Sequence, residues 1–360
     1  MAHGIRLTLP RLIAAQSALL ALSWRNLQQI PALPLEMAVE GDKVTLIVPV
    51  RNEAERLPDL LESLKRLRYR DVDILIVDDG SDDGSADLVR DFGFQVLDAG
   101  APASGWTGKC HACWQGAQQA SGTWLLFTDA DTIHRPESLG RAMTEAKQVD
   151  AGLLSLLPQH RCESFWERLL MPYAYAAYFA GAIRVNKRFG VPMANGQYLL
   201  FDRETYFQIG GHAAVRESVV EDAAFARIMK RECRPISVYR AENALEIRMY
   251  TGFRSLWEGY TKNAVRLVRL APVYGSLTAV LTALNASAFF RLVQVRNVRH
   301  GLVLLGIPAI VLSRWYRLFG TPRAYAALYP LAAIVFHAIT FESARRTFSP
   351  RGTRWRGRRY

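Results

Sequence analysis

The feature that most limits what this chain can fold into is an alternation of strand-length apolar runs with helical patterns over residues 44–127. Val44–Val50 is an unbroken apolar run. Over residues 55–67, Leu57, Leu60, Leu61, Leu64 and Leu67 recur at three- and four-residue spacing and share one helix face. The unit then repeats, with strands at 74–77, 94–97 and 124–127 and helices at 85–92 and 109–120. A helix between two strands lets the second strand run parallel to the first, and the apolar runs need cover on both faces. The sequence therefore predicts an α/β fold: a mostly parallel sheet with helices on both faces.

In such a sheet ligands gather beyond the carboxyl ends of the strands. The residues there are charged: Pro49-Val50-Arg51-Asn52-Glu53 after the first strand, Asp78-Asp79-Gly80-Ser81 after the second, and Asp129-Ala130-Asp131 after the fourth. Along an extended backbone Asp129 and Asp131 would point the same way and converge on one divalent ion, Mg²⁺ or Mn²⁺, with a diphosphate completing its shell. An Asp-x-Asp alone is more often a cap or turn; its place after a buried strand favours the metal. Asp78, at the strand tip, can accept hydrogen bonds from a base or ribose, while the plainer role of capping the helix from Ser85 suits Asp82 or Asp83. Lys109 follows a glycine and opens a helix, so its ammonium either faces phosphate or is solvated.

Further along, residues 165–182 suit an aromatic-rich helix, 196–201 and 247–250 short strands, and 219–231 a helix with Glu221 and Asp222 in its first turn. Four cysteines in 360 residues make no disulfide framework, and Cys110-His111-Ala112-Cys113 lacks a second pair with which to hold zinc.

Three segments in order, Val48-Pro49-Val50-Arg51-Asn52-Glu53, Val77-Asp78-Asp79-Gly80-Ser81 and Thr128-Asp129-Ala130-Asp131-Thr132, resemble glycosyltransferase family 2 with the GT-A fold. Asn195-Gly196-Gln197, Gly210-Gly211-His212 and Glu221-Asp222 stand where that family has its acceptor-side loop and acidic base. Gly105-Trp106-Thr107-Gly108-Lys109 and the ending Thr353-Arg354-Trp355-Arg356-Gly357-Arg358-Arg359-Tyr360 are similar to the bacterial members associated with hopanoids and with carotenoid (diaponeurosporenoate) glycosylation.

The resemblance implies a donor set of Pro49, Arg51, Glu53, Asp78, Lys109, Asp129 and Asp131, with Asp131 and Asp129 handling the metal. It implies an acceptor side of Asn195, Gly196, Glu221 and Trp257, and Asp222 as general base. Inversion in a single displacement needs one such carboxylate opposite the leaving group. Processive members carry an Arg-Trp pair after the base. Here Arg254-x-x-Trp257 is a remnant without that pair, which favours transfer of one sugar. Trp257 and Tyr260 serve either the acceptor or the packing of a helix face.

The net charge of +12 is unevenly placed: residues 259–360 hold sixteen Lys or Arg and one acid, Glu342, so the remainder is slightly acidic. An acidic catalytic region excludes nucleic acid as the expected partner. The basic part also contains apolar runs at 271–290, 301–313 and 324–341, and basic flanks on apolar runs suit the cytoplasmic leaflet of a membrane. The expected organisation is an interfacial or membrane-anchoring helix and linker (1–42), a catalytic domain (43–265), a membrane-associated helical region (266–345) and a basic tail (346–360). With seven Arg between Arg345 and Arg359, the tail and the catalytic domain are both expected on the cytoplasmic side. The expected activity is metal-dependent, inverting transfer from a nucleotide diphosphate sugar, most simply a UDP-sugar, to a lipid-like acceptor. A polysaccharide or other non-lipid acceptor, or a non-catalytic UDP-sugar-sensing scaffold, is the alternative.

Overall fold

The computed structural model describes residues 9–270, 272–294, 298–347, 354–355 and 358–359. In chain order the elements are α1 (Leu9–Gln28), β1 (Val44–Val50), α2 (Leu57–Lys65), β2 (Val72–Asp78), α3 (Ser85–Asp91), β3 (Gln95–Asp98), α4 (Gly108–Gln119), β4 (Trp124–Thr128), β5 (Thr132–His134) and α5 (Ser138–Gln148). There follow β6 (Leu153–His160), α6 (Phe165–Ala180), β7 (Tyr198–Asp202), α7 (Arg203–Gln208), α8 (Gly211–Ala214), α9 (Glu221–Arg231), β8 (Ile236–Ile247) and α10 (Phe253–Leu270). The chain continues through α11 (Pro272–Gln294), α12 (Val298–Leu318), a 3₁₀ turn (Arg323–Leu328), α13 (Tyr329–Thr347) and the strands β9 (Arg354–Trp355) and β10 (Arg358–Arg359).

The chain divides into two compact units. The first comprises residues 30–160 and 185–249 with the tail 354–360. It is built on an eight-stranded sheet of order β3-β2-β1-β4-β7-β6-β8-β5. The pairs β1–β2, β2–β3 and β1–β4 are parallel, as the strand–helix alternation requires. Beyond β4 the sheet is mixed: β4–β7, β6–β7 and β5–β8 are antiparallel, and β6–β8 is parallel.

Successive residues of the central strands go to opposite apolar layers, as a period of two dictates. Leu46, Val48, Leu126 and Leu200 pack with Leu57, Leu60, Leu61 and Leu64 of α2 and with Leu139 and Met143 of α5. Ile47, Leu125, Phe127, Leu199 and Phe201 pack with Cys110, Cys113 and Ala117 of α4 and with Phe225 and Met229 of α9. Gly116 lets α4 lie close on the sheet, since a Cβ there would stand 2.7 Å from Ile47 Cγ2 and 3.0 Å from Val77 Cγ2. The linker at 30–34 is pinned to the same unit: Leu33 N donates to Arg240 O at 2.7 Å, and the buried Arg141 guanidinium donates to Leu33 O and Pro34 O at 2.6 Å each.

Several expectations need correction. The strand at 247–250 ends at Ile247 and is the tail of the twelve-residue β8. β5, α5 and β6 were not foreseen. β6, Leu-Leu-Ser-Leu-Leu-Pro-Gln-His, is an apolar run too short for periodicity to separate strand from helix. Residue 265, the expected domain boundary, falls within α10, and the contacts divide the chain at Met249 and Tyr250.

The second unit comprises residues 1–29, 161–184 and 250–353. The aromatic α6 thus groups with α1 and the C-terminal helices, although it lies inside the expected catalytic span. A capping box of Ser164 and Glu167 starts α6. Buried polar side chains then tie it in: Asn26 Nδ2 donates to Phe179 O at 2.9 Å, Thr278 Oγ1 to Ala177 O at 2.9 Å and Tyr316 OH to Leu169 O at 3.0 Å. Gln16 Nε2 donates to Asn285 Oδ1 at 2.6 Å, so the apolar run of α1 carries polar groups turned inward.

Among the described residues, the helix Arg323–Thr347 is long and apolar enough to cross a membrane, and it covers the expected third apolar run. Val303, Ile307 and Ile310 of α12, at one-turn spacing, are exposed, as is Phe341 of α13. The expected tail falls mostly outside the described residues.

Candidate functional site

The residues expected to hold the donor stand at two neighbouring strand tips. Parallel pairing sets Pro49 against Val77 and Val50 against Asp78, so the loops that follow β1 and β2 leave the sheet side by side. They clasp each other: Asn52 N donates to Ser81 Oγ at 3.0 Å, Asp82 N to Asn52 Oδ1 at 2.9 Å, Glu53 N to Ser85 Oγ at 3.0 Å and Ala54 N to Asp83 Oδ2 at 2.9 Å. The Arg51 guanidinium donates to the Asp79 carbonyl. The Asp78 carboxylate accepts from Ser81 N at 3.1 Å, which fixes it at the rim of the turn. Asp83, rather than Asp78 or Asp79, supports the start of α3 by accepting from Ser85 N at 3.0 Å.

The Asp129–Asp131 segment departs from the extended geometry expected of it. β4 ends at Thr128 and β5 begins at Thr132, and Thr132 N donates to Asp129 O at 3.2 Å, so the three residues form a turn between two strands. The turn separates the two carboxylates by environment. Asp129 Oδ1 meets Lys109 Nζ at 2.7 Å. Asp131 Oδ1 is buried without a hydrogen-bond partner. Burial, followed by the negative charges of Asp129 and Glu53, pushes the Asp131 carboxyl up to about 7.

An orphaned carboxylate oxygen with two further acids close by fits a divalent cation. Among the described residues no three His, Cys, Asp or Glu side chains gather tightly enough to hold a metal by themselves. A Mg²⁺-type site needs only one or two carboxylates and shares the ion with substrate phosphates.

The residues expected on the acceptor side meet the same Lys109 through Glu221. Asn195 N donates to Ser155 Oγ at 2.8 Å and Thr128 Oγ1 donates to Gln197 O at 2.8 Å, which pins the Asn195-Gly196-Gln197 loop between β6 and β4. Gly196 N donates to Asp222 Oδ2 at 3.0 Å. A side chain at 196 would crowd the site, since a Cβ there would stand 3.1 Å from Glu221 Oε1, 3.3 Å from Lys109 Nζ and 3.5 Å from Asp222 Oδ2.

Glu221 Oε1 meets Lys109 Nζ at 2.6 Å. Burial alone would raise the Glu221 carboxyl, but the Lys109 ammonium outweighs it and holds the group below the ordinary range. Asp222 goes the other way: burial, then the Glu221 charge, lifts it to about 6 against the hydrogen bonds from Ala223 N and Gly196 N. Neighbouring carboxyls held apart in this way divide naturally into an anion and a group that can exchange a proton near neutral pH.

Asp129, Lys109, Gly196, Glu221 and Asp222 thus form one contiguous group, with Asp131 and Glu53 linked to it through their charges. Residues 45–222 match the family model for Glycosyl transferase family 2, a span that runs from the first buried strand to the Asp222 carboxylate. The chain belongs to glycosyltransferase family 2.

As a member of that family it resembles the 4,4'-diaponeurosporenoate glycosyltransferase of Staphylococcus aureus (strain USA300), with 29% identity over 338 residues, 88% of each protein. The counterpart from strain MRSA252 is 28% identical over the same shares. Among solved structures, the mannosyltransferase PcManGT from Pyrobaculum calidifontis, in complex with GDP-Man and Mn²⁺, matches with a TM-score of 0.57 at 18% identity, over 91% of this chain and 96% of that one. That likeness shows the GT-A fold.

Other residues singled out in the sequence of this glycosyltransferase have different bonding partners. Trp257 belongs to the helical unit, where its ring is 5.6 Å from Phe253. His212 is a core residue bonded through Nδ1 to Tyr206 OH at 2.8 Å. Cys110 and Cys113 form no disulfide among the described residues and are buried in the apolar layer under the sheet. The sequence reading missed that the side chains of Ser81, Asp83 and Ser85 lock the loops after β1 and β2 together. It also missed His134, whose Nε2 lies 3.2 Å from Thr128 Oγ1. A lone His in a three-residue strand carries no signal that would have found it.

Proposed function

We propose that this family 2 glycosyltransferase moves one sugar, with inversion, from a UDP-sugar to a hydroxyl or carboxyl of an isoprenoid-type lipid at the cytoplasmic face of the cell membrane. The observation that carries the reading is Asp222. Its carboxylate accepts from Gly196 N, and its neighbour Glu221 shares the Lys109 ammonium with Asp129, which ties a candidate proton acceptor to the candidate diphosphate site.

In this reading Asp222 takes the proton from the acceptor oxygen as that oxygen attacks the anomeric carbon. The bond from that carbon to the diphosphate oxygen breaks with its electron pair leaving on the nucleotide. Asp131, with Asp129, would hold Mg²⁺ or Mn²⁺, which when bound neutralises the charge gathering on the departing diphosphate. Asp78 contacts the uridine, while Pro49, Arg51 and Glu53 shape the donor wall and Lys109 supplies positive charge beside the phosphates. Asn195, Gly196 and Glu221 border the acceptor.

The lipid acceptor is supported by the relative named for glycosylating 4,4'-diaponeurosporenoate and by the apolar side chains exposed on α12 and α13. The helix Arg323–Thr347 and the Arg-rich end of the chain support membrane attachment with a cytoplasmic tail. The catalytic domain in this proposal spans residues 43–265.

The test is release of UDP from a panel of UDP-sugars in the presence of lipids extracted from the host, with and without Mn²⁺. Transfer to a lipid that requires the cation supports the reading. Hydrolysis alone, or transfer only to soluble glycans, overturns the acceptor assignment.

A further inference from the structure

Three segments far apart in sequence meet on one nitrogen atom. Lys109 Nζ, in the first turn of α4, lies 2.7 Å from Asp129 Oδ1 at the end of β4 and 2.6 Å from Glu221 Oε1 in the first turn of α9. The lysine is 34% exposed and Glu221 only 7%, so the pair to Glu221 is the better shielded of the two. Next in sequence to Glu221 is Asp222. Gly196 closes this arrangement, because a side chain there would press on Glu221 and Lys109 and touch Asp222.

We propose that Lys109 is a positioning residue that joins the donor and acceptor halves of the site: its ammonium, shared between Asp129 and Glu221, neutralises Glu221 and so keeps Asp222 free to act as an anion. The inference rests on the reading of Asp222 as the base.

The groups facing this pair are few. Lys109 and Cys113 come from α4, Asp129 from the end of β4, His212 from α8 and Glu221 from α9 itself, while the 195–197 loop contributes the Gly196 N–H. Burial holds the Cys113 thiol and the His212 imidazole in their neutral forms. Among these described groups Lys109 is therefore the positive charge that offsets Glu221 and Asp129. Two adjacent carboxylates repel, and without a cation one of them must hold a proton. Because the same ammonium also touches Asp129, whatever compensates Asp129 on the donor side leaves more of the lysine's charge to Glu221. Donor binding and the readiness of the base are coupled through one atom.

The test uses the full chain in detergent or lipid and follows the acid limb of the kcat–pH profile in Lys109→Met, Glu221→Gln and the double variant, with UDP·Mn²⁺ binding measured by calorimetry and folding by thermal melting. Loss of the cation moves the limb up by about one pH unit, and loss of the Glu221 anion moves it down by about one. The double variant returns close to the wild-type position. Opposite signs with mutual rescue are what a merely structural lysine would not produce.

A limb that stays in place in folded Lys109→Met, or a double variant displaced as far as the single, overturns the proposal. Should Lys109→Met fail to fold, the downward shift in Glu221→Gln carries the test, and an upward or absent shift there overturns it equally. Asp222→Asn is assayed alongside. If it retains wild-type transfer, the base reading fails, whatever the lysine series shows.

Discussion

The pH dependence of transfer tests the site most directly, because the structure lifts the Asp222 ionisation towards neutral pH. Asp222 is lifted from an ordinary value of 3.8 to about 6 by burial and by Glu221. A shift of about two units corresponds to roughly 3 kcal/mol of preference for the protonated form. The base works as the anion, so the sign is fixed: kcat rises with pH through about 6 and flattens above it. About a tenth of the enzyme is active at pH 5 and about nine-tenths at pH 7, a nearly tenfold span in rate.

The assay is UDP release at saturating donor, acceptor and Mn²⁺ between pH 4.5 and 8. Saturating cation keeps Asp131 deprotonated and removes its titration from the profile. Asp222→Asn preserves an oxygen for Gly196 N but cannot accept the proton, and kcat falls by about 10²–10⁴-fold with UDP binding within about threefold of wild type. A kcat that is flat from pH 5 to 7, or an Asn variant that keeps the same limb, would refute the argument.

Gly196→Ala should lower kcat by about tenfold or more while leaving the melting temperature nearly unchanged, because the added methyl meets Glu221, Lys109 and Asp222 and displaces the base by tenths of an ångström; unchanged kinetics would show that the crowding is absorbed elsewhere. Asp131→Asn should weaken Mn²⁺-supported UDP binding in calorimetry by at least about tenfold, and in the wild type that affinity should fall about tenfold per unit as pH drops below about 7. A pH-independent cation affinity would remove Asp131 from the metal site. Gly116→Val should cost about 1–3 kcal/mol in denaturant unfolding, since even a Cβ there meets Ile47 and Val77. Ile310→Asp with Phe341→Asp, both at sites more than 70% exposed, should reduce flotation with anionic vesicles without altering UDP binding; unchanged flotation would place the membrane contact elsewhere.

By itself the sequence determined the parallel half of the sheet and the chemistry at its edge. Buried parallel strands must read as continuous apolar runs, their covering helices as leucines at three- and four-residue spacing, and ligand groups must follow the strand tips. Val44–Val50, the leucines of α2 and the acids after β1, β2 and β4 are therefore visible in one dimension.

The tertiary structure alone decided what those acids meet. Residues 129–131 form a turn because β5 pairs with β8, more than a hundred residues away, and that pairing has no local signature. α6 looks like any other apolar helix, and only its partners Asn26, Thr278 and Tyr316 assign it to the helical unit. Lys109, Asp129 and Glu221 carry no mark in the sequence that they share an ion pair. Charge interactions depend on distance and burial, and both are set by the packing of segments that the chain keeps far apart.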